Sequence, residues 1–175
     1  GADHTVLTNN RFAVAQTPGG SGALRVLAEF INVAKPGATV WAGNPTWANH
    51  SPIMQSAGLE IKQYPYYDKD TKAVDFDGML ATLKAETKAG DVVLLHACCH
   101  NPSGADLSLE QWQATADVIK AKGLLPYVDI AYQGLGEGMD EDAAGLRLMA
   151  NTVPEMVIAS SCSKNFGLYR ERTGT

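Results

Sequence analysis

Three apolar runs of this 175-residue sequence lead to polar side chains whose types could carry chemistry. The first run, 91–96, precedes Asn101. The second run contains Asp129, and the third ends shortly before Lys164. If the three runs are strands of one parallel sheet, their carboxyl ends lie at a common edge, which is where ligands bind in such sheets. We therefore predict a ligand site at that edge.

Lys164 and Asp129 carry the most reactive groups of this predicted edge. A lysine amine close to an apolar strand can act as a nucleophile towards a carbonyl compound. The alternative is a surface lysine whose alkyl chain covers apolar neighbours while its amine stays in water. A carboxylate in an apolar strand needs a partner because it has lost hydration. Asp129 could therefore face a protonated ring nitrogen or a metal ion, or it could cap a helix or join an internal ion pair.

The segment 17–22 could bind an anion, because it is rich in glycine and directly precedes a helical pattern. Glycines allow backbone N–H groups to approach a ligand closely, and a helix start favours negative charge. Ser21 adds a hydroxyl donor, and Arg172 could supply a cation. The segment matches neither the dinucleotide fingerprint nor the P-loop. It could equally be a flexible loop in which Ser21 caps the helix, with Arg172 in a surface ion pair.

Three further side chains could support such a site. Trp47 lies in a polar loop, where it could stack on a flat ligand or cover the edge of the sheet. His50 could lie behind Asp129 or begin a helix. Tyr132 could donate its hydroxyl to a ligand oxygen or cap a turn.

The segment 96–100 contains two histidines and two cysteines, which raises the question of a metal site. If the strand continued, its alternation would put His96, Cys98 and His100 on one side. A fourth zinc ligand is not evident, and the spacing differs from the paired patterns of common zinc sites. We expect no metal here and interpret the segment as thiols and imidazoles at the end of a strand.

The elements that would position these residues alternate along the chain. Strand-like runs at 39–41, 59–64, 91–96, 124–130 and 155–160 alternate with helical patterns at 21–33, 52–57, 77–88, 108–122 and 140–150. Ser108 and Gln111 predict a capping box at a helix start, and Gly123 predicts a left-handed helix end. Strands that alternate with helices predict an α/β fold with a mostly parallel sheet.

Composition excludes several classes of protein. Hydrophobic residues make up 45% of the chain, charged residues make up 19%, and the formal net charge is −5, which is typical of one globular domain. The acidic balance offers no basic surface for nucleic acid, and no apolar run approaches the roughly 18 residues of a membrane span. Three cysteines, two of them adjacent, predict free thiols in a reducing compartment. The polar start 1–4 is not a signal peptide, so we expect a cytoplasmic protein.

Five segments stand in order along the chain: Gly19–Gly22, Asn44–His50, Cys98–Gly104, Asp129–Gly134 and Ser160–Arg172. In this order they resemble the aspartate/aromatic amino-acid aminotransferases, which are fold-type I enzymes that use pyridoxal 5′-phosphate. The resemblance covers essentially the whole chain. It implies a three-layer α/β/α fold in which residues 1–175 form the large cofactor-binding domain.

The resemblance implies a role for each matching residue. Lys164 matches the lysine that forms a Schiff base with the cofactor and moves protons during catalysis. Asp129 matches the carboxylate that keeps the pyridine nitrogen protonated, and His50 matches the group behind that carboxylate. Asn101 and Tyr132 match the donors to the phenolic oxygen of the ring.

The remaining matches concern the faces and the phosphate of the cofactor. Trp47 matches the indole stacked on the ring, Gly104 matches a tight turn beside it, and Ser163 is expected to support Lys164 without touching the cofactor. The residues that match the phosphate-binding set are Gly19, Gly20, Ser21, Ser161 and Arg172. Two positions depart from the family: Ser21 stands where threonine is common, and Arg170 stands where many members have asparagine.

Some of the family's functional groups have no counterpart in this sequence. In the family, an arginine in the C-terminal part binds the substrate α-carboxylate, and that position would follow Thr175. The neighbouring subunit supplies a second arginine and a phosphate-binding tyrosine. We therefore expect a homodimeric full-length protein, with the small domain and an N-terminal segment outside residues 1–175. We also expect this chain alone to be inactive or weakly active.

The resemblance implies ping-pong transamination between an amino acid and a 2-oxo acid, with aspartate, glutamate and aromatic amino acids as substrates. Three alternatives remain at this point. Another fold-type I reaction, such as that of a β-lyase or decarboxylase, would use the same cofactor. A transcription regulator could use the domain to sense pyridoxal phosphate. A zinc domain could use His96, Cys98, Cys99 and His100.

Overall fold

The computed structural model describes residues 5–175. Our interpretation of the polar segment 1–4 concerns residues outside this range. Within it, the strands are β1 (Thr17–Pro18), β2 (Thr39–Asn44), β3 (Glu60–Pro65), β4 (Tyr67–Asp68), β5 (Ala73–Val74), β6 (Val92–His96), β7 (Leu125–Ile130), β8 (Val157–Ser160) and β9 (Thr173–Gly174). The helices are α1 (Thr5–Thr8), α2 (Gly19–Ala34), α3 (His50–Ser56), α4 (Phe76–Glu86), α5 (Leu109–Lys122) and α6 (Ala144–Thr152).

Five parallel strands form the central sheet, in the order β3-β2-β6-β7-β8. The prediction of an α/β fold with a mostly parallel sheet is confirmed. Register aligns the ends of β6 and β7, since His96 pairs with Asp129, and Asp129 in turn pairs with Ala159 of β8. The carboxyl ends of these three strands therefore meet at one edge, which we call the rim.

The last residues of the chain bring the start of α2 to the rim. Gly174 of β9 pairs antiparallel with Thr17 of β1 on one side and with Ser161 on the other. The backbone N–H of Thr175 donates to the carbonyl of Ser160 at 3.1 Å, and the reverse bond is 2.7 Å long. Because β1 runs directly into α2, this pairing fixes the glycine-rich helix start beside the end of β8.

Helices cover both faces of the sheet. On one face, Leu24 and Ile31 of α2 pack with Met54 of α3 against the strands. On the other face, Met79 of α4 and Ile119 of α5 belong to a second apolar cluster, which also includes residues of α6. Each fully buried side chain of this size stabilises the fold by about 1.5–3 kcal/mol. The result is the three-layer arrangement that the resemblance implied.

Local sequence signals explain α5 well. The Ser108 hydroxyl accepts from the Gln111 N–H, and the Gln111 side chain accepts from the Ser108 N–H at 2.9 Å, so the predicted capping box is present. Gly123 ends the helix with φ of 65°, a left-handed conformation that costs glycine little. Both predictions are confirmed.

The start of α6 differs from the sequence-based expectation. A helix was predicted from residue 140, but it begins at Ala144. The cause is Asp142, which is buried and whose carboxylate accepts backbone N–H groups of Gly134 and Gly136 at 2.8 and 3.0 Å. This contact holds residues 140–143 in turns instead. None of the helices in residues 5–175 combines the length and apolar character needed to span a bilayer.

Candidate functional site

A cavity of about 270 Å³ opens at the rim. Its walls come from the carboxyl ends of β6, β7 and β8 and from the start of α2. The residues lining it are Gly20, Ser21, Leu24, Trp47, His96, Cys98, Asn101, Asp129, Ala131, Tyr132, Ser161, Ser163, Lys164, Tyr169 and Arg172. Polar side chains from segments far apart in sequence therefore share one enclosed space.

Lys164 provides the amine of this cavity. It follows β8, and the preceding turn is held by the Ser163 N–H, which donates to the Ser161 hydroxyl at 3.2 Å. The Nζ atom lies 4.6 Å from the centroid of the Tyr132 ring, within the range of a cation–π contact. Asn101 Nδ2 approaches the Tyr132 hydroxyl oxygen at 3.5 Å, a long hydrogen bond. The amine, the phenol and the amide thus lie together on one side of the cavity.

Asp129 provides the carboxylate. It lies in β7 and is 8% exposed, and its Oδ2 accepts from His50 Nε2 at 2.9 Å. His50 begins α3 and is fully buried, so both roles considered for it from the sequence are realised. Among the described residues, His50 is the only hydrogen-bond partner of the Asp129 side chain. Because Asp129 also lines the cavity, it retains acceptor capacity towards a ligand.

A chain of hydrogen bonds continues behind His50. The Thr46 hydroxyl lies 2.8 Å from His50 Nδ1 and 2.9 Å from His96 Nε2. A neutral imidazole carries one N–H, so His50 can donate from Nε2 to Asp129 while its Nδ1 accepts from the Thr46 hydroxyl. The Thr46 oxygen can then accept from Nε2–H of His96, and every member of the chain has a partner. The buried carboxylate is therefore held by a donor whose own orientation is fixed.

Burial keeps His96 and its neighbour His100 neutral. Burial lowers the pKa of His96 well below its usual value, and the neighbouring His100 and His50 act in the same direction. The pKa of His100 is lowered to about 4 for the same reason, with His50 contributing. The His100 ring stacks on Tyr66 at 4.1 Å between centroids, and its Nδ1 lies 2.8 Å from the Ser103 hydroxyl.

The opposite end of the cavity is built to receive an anion. Gly19 has φ of 76°, and a Cβ atom there would lie 2.5 Å from Nη2 of Arg172. A Cβ atom on Gly20 would lie 2.9 Å from that of Ser161. The guanidinium and the serine therefore approach the first turn of α2 more closely than any side chain there would permit. Unpaired N–H groups of a first helical turn attract negative charge, and the Ser21 hydroxyl lines the same space.

Arg172 is fixed in its position by the backbone. Its Nη1 donates to the Tyr169 carbonyl at 2.8 Å, its Nη2 lies 3.5 Å from the Pro18 carbonyl, and its own φ is 54°. A surface ion pair was considered for it from the sequence, but the structure gives it these carbonyl contacts instead. Ser21 lies within the first turn of α2, whereas the helix cap is Pro18, so the interpretation of Ser21 as the cap is wrong.

Trp47 closes one wall of the cavity. Its ring meets the edge of the His50 ring at 5.3 Å between centroids, with an interplanar angle of 89°. It also packs against the apolar cluster of α2 and α3, as a side chain that covers the edge of the sheet would. Gly104 has φ of 69° and forms a turn, but it does not line the cavity.

The histidines of segment 96–100 do not join its cysteines in a metal-binding group. Within residues 5–175, the group with suitable ligand spacing is Cys98, Cys99 and Asp142. The predicted strand alternation is wrong because β6 ends at His96 and Cys99 has φ of 49°. His96 instead contacts Thr46, and His100 contacts Ser103. The zinc interpretation through two histidines and two cysteines therefore has no geometric support.

The structure brings most of the predicted site residues to one cavity. Gly19 and His50 lie directly behind its wall, and Ser163, expected to remain away from the ligand, lines it. Sequence reasoning missed the link that Thr46 makes and the part of His96 in it. Thr46 precedes His50 by four residues, but its contact with His96 depends on which loops meet across the sheet.

Comparisons with known proteins agree with this geometry. The family model described as aminotransferase class I and II matches residues 2–175. An aromatic-amino-acid aminotransferase of Paracoccus denitrificans is 52% identical over 96% of this chain, which spans 42% of that relative. The aspartate aminotransferase of Escherichia coli K12 is 50% identical over 99% of this chain, which spans 44% of it.

A solved structure shares the fold. The aromatic-amino-acid aminotransferase of Burkholderia pseudomallei, covalently bound to pyridoxal phosphate, superposes with a TM-score of 0.96 at 46% identity. The match covers 98% of this chain and 43% of that one. The chain therefore spans less than half the length of the relatives it matches.

Proposed function

The chain belongs to the class I and II aminotransferases, and we propose from this premise that its full-length protein transfers an amino group from an amino acid to a 2-oxo acid with pyridoxal 5′-phosphate as cofactor. The observation that carries the proposal is the cavity at the rim. Lys164 and Asp129 line this space together with Arg172 and the first turn of α2, which form a positively charged cup. An aldehyde, a ring nitrogen and a phosphate need an amine, an anion and a cationic cup respectively.

The residues present fit the phosphate of this cofactor. Gly19 and Gly20 have no Cβ atom, so Arg172 and Ser161 lie directly against the first turn of α2, where backbone N–H groups can reach an anion. Arg172 supplies the positive charge, and Ser21 and Ser161 supply hydroxyl donors. Charge-assisted bonds of this kind are about twice as strong as neutral ones.

Asp129 fits a protonated ring nitrogen. Its single partner among the described residues is His50, so it retains acceptor capacity towards the cavity. When bound, the cofactor supplies an electron-withdrawing ring that stabilises negative charge on the substrate. The role of Asp129 is to hold a proton on the ring nitrogen, and that of the His50–Thr46 chain is to hold Asp129 in place.

Lys164 fits two further tasks, nucleophilic attack on the aldehyde and proton transfer. Its amine is the nucleophile of the cavity, and it lies on the face of Tyr132. Lys164 would also serve as the general base and acid that removes and returns the proton of the substrate Cα. Positioned proton transfer of this kind accelerates a step by about 10²–10⁴-fold.

Asn101 and Tyr132 fit a phenolic oxygen between these groups. The amide and the phenol approach one another at 3.5 Å, so both can donate to one oxygen placed between them and Lys164. Trp47 covers one face of the space. Each residue of the set thus has a task that its chemistry suits.

Substrates and assembly are part of the proposal. We infer aspartate, glutamate and aromatic amino acids as donors; relatives named for aspartate and for aromatic amino acids are about equally identical to this chain. Residues 1–175 would form most of the large domain of a homodimer. The three cysteines are free, which supports a reducing, cytoplasmic location.

The test is reduction of the full-length protein with borohydride after incubation with pyridoxal phosphate, followed by peptide mapping. We expect one pyridoxyl group per chain, on Lys164. A pyridoxyl group on another lysine, with Lys164 unmodified, would overturn the assignment of the rim. Lys164→Ala is the matched control and should give no pyridoxyl peptide from this segment.

A further inference from the structure

Cys98 and Cys99 form a pair of thiols that the proposed amino transfer does not use. In an extended strand the side chains of adjacent residues point to opposite faces. Here β6 ends at His96, and the positive φ of Cys99, 49°, turns the backbone. The two Sγ atoms and a carboxylate oxygen of Asp142 consequently lie within 4.8 Å of one another.

The carboxylate of this group is already engaged. Asp142 accepts backbone N–H groups of Gly134, Gly136 and Glu137 at 2.8, 3.0 and 2.8 Å. These bonds lower the pKa of Asp142 against the opposing effect of burial. Asp142 therefore anchors the 134–142 loop, and the ligands available at this position are the two sulfurs.

Protonated thiols favour a neutral ligand over a metal ion at this pair. Burial raises the pKa of Cys98 and of Cys99, and the carboxylates of Asp106 and Asp142 raise both further. Zinc and similar divalent ions bind thiolates and must displace the protons of both sulfurs as free ions, which this environment opposes. A neutral trivalent arsenical has no such requirement, because each thiol proton leaves with the oxygen that the arsenic loses.

Access to the pair is from the cavity. Cys98 lines the cavity, and Cys99 is partly exposed. On the far side, a Cβ atom on Gly136 would lie 3.2 Å from Cys99 Sγ, so the loop packs closely against that sulfur. The approaches left to a small reagent are therefore the cavity, at Cys98, and the exposed part of Cys99.

We propose that Cys98 and Cys99 form a dithiol site for monosubstituted trivalent arsenicals. In the reaction, two As–S bonds form and both S–H bonds break. The arsenic–oxygen double bond also breaks, and its oxygen leaves with the two protons as one water molecule. Arsenic stays trivalent and both sulfurs keep their oxidation state, so no oxidant is needed. The reaction uses the two sulfurs alone, and Cys98 is reached through the same cavity that is proposed to hold the cofactor.

Phenylarsine oxide and the full-length protein provide the test, with intact mass and peptide mapping as readouts. We expect one arsenical bound across the two sulfurs of the peptide that contains Cys98 and Cys99. The adduct should survive an excess of monothiol and be reversed by a small dithiol, since only a dithiol can replace both As–S bonds. An adduct that uses one of these sulfurs, or none, would overturn the proposal.

Variants separate this site from other thiols. Cys162→Ser, at a partly exposed free cysteine on the segment after β8, should form the monothiol-resistant adduct as the unmodified protein does. Cys98→Ser and Cys99→Ser should each lose it. Persistence of the resistant adduct in Cys99→Ser would contradict the paired site. Mapping of the unmodified protein gives an answer even if a cysteine variant does not fold.

Discussion

Two buried aspartates lie at opposite ends of neighbouring strands, and their surroundings differ. Asp91 precedes β6 and is 2% exposed, whereas Asp129 lies near the end of β7 and is 8% exposed. The Asp91 carboxylate accepts from the Thr39 N–H at 3.2 Å, from Trp41 Nε1 at 3.1 Å and from the Lys88 N–H at 3.0 Å. The Asp129 carboxylate accepts from one described partner, a histidine.

The difference predicts that Asp91 is a structural carboxylate and that Asp129 is the one available to a ligand. Asp91 is satisfied by donors of its own chain, so it ties strand ends together and has no capacity for a ligand. Asp129 is oriented by one donor and faces a cavity with its remaining capacity. A buried polar group left incomplete by the fold costs free energy, which a ligand can recover. Incomplete satisfaction of a buried group is therefore a marker of the site.

Loss of the Lys164 amine at the rim should have the largest effect on the rate of amino transfer. Lys164→Ala in the full-length protein should lower amino transfer by at least about 10⁴-fold, since it removes both the nucleophile and the proton carrier. Steady-state kinetics measure this effect. Lys120→Ala, on α5, is the control and should retain full activity. Equal activity of the two variants would remove Lys164 from the mechanism.

Substitution of the rim carboxylate should affect rate rather than stability. Asp129→Asn should lower kcat by about 10²–10³-fold, the usual magnitude for loss of one electrostatic partner of a developing charge. The amide oxygen can still accept from His50, so the free energy of unfolding should change by less than about 1 kcal/mol. Kinetics and urea unfolding of the same preparation measure both. A normal kcat would place Asp129 with the structural carboxylates.

Asp91→Asn, at the opposite end of the sheet, should lower stability and leave the rate unchanged. In Asp91→Asn, one amide N–H group would face the donors that now bind the carboxylate. The free energy of unfolding should fall by about 1–3 kcal/mol, with kcat per folded molecule unchanged. Urea unfolding and kinetics at a temperature where the variant is folded provide the measurement. A lowered kcat without destabilisation would show that Asp91 acts in catalysis and not in the structure alone.

The last effect is confined to acidic pH and concerns the neutral histidines behind the rim. Burial lowers the pKa of His100 to about 4 in the folded state, below the ordinary value of 6.5. Between these two pH values the unfolded chain binds the proton more strongly than the folded one. The contribution of neutral His100 to the free energy of unfolding is therefore complete above about pH 6.5 and is lost as the pH falls towards 4. Urea midpoints measured from pH 7 to 4 should fall less in His100→Gln than in the unmodified protein. Parallel curves would show that His100 is not responsible.

Elements determined by nearby residues were predictable from the sequence. The capping box at Ser108 and the left-handed Gly123 depend on residues within one helix turn, and both are present. The convergence of polar residues at the rim was also predictable, because the carboxyl ends of parallel strands always share an edge. The roles assigned to the individual site residues stay predictions.

Features that depend on contacts between distant segments were not predictable. Asp142 accepts from the loop before it and delays α6, although the sequence pattern favours an earlier start. Thr46 joins His50 to His96 across 50 positions of sequence, and no local pattern indicates this pairing. The turn at Cys99, which places two adjacent thiols together, likewise depends on the carboxylate of Asp106 that accepts its N–H.

The most direct measurement of the central claim is a half-reaction of the full-length, cofactor-loaded protein with glutamate and no 2-oxo acid acceptor. We expect release of one 2-oxoglutarate per active site, without ammonia or carbon dioxide. When a 2-oxo acid acceptor is then added, the amino group held by the protein should be transferred to it. Release of 2-oxoglutarate only when both substrates are present, or continuous release of ammonia or carbon dioxide, would contradict the claim.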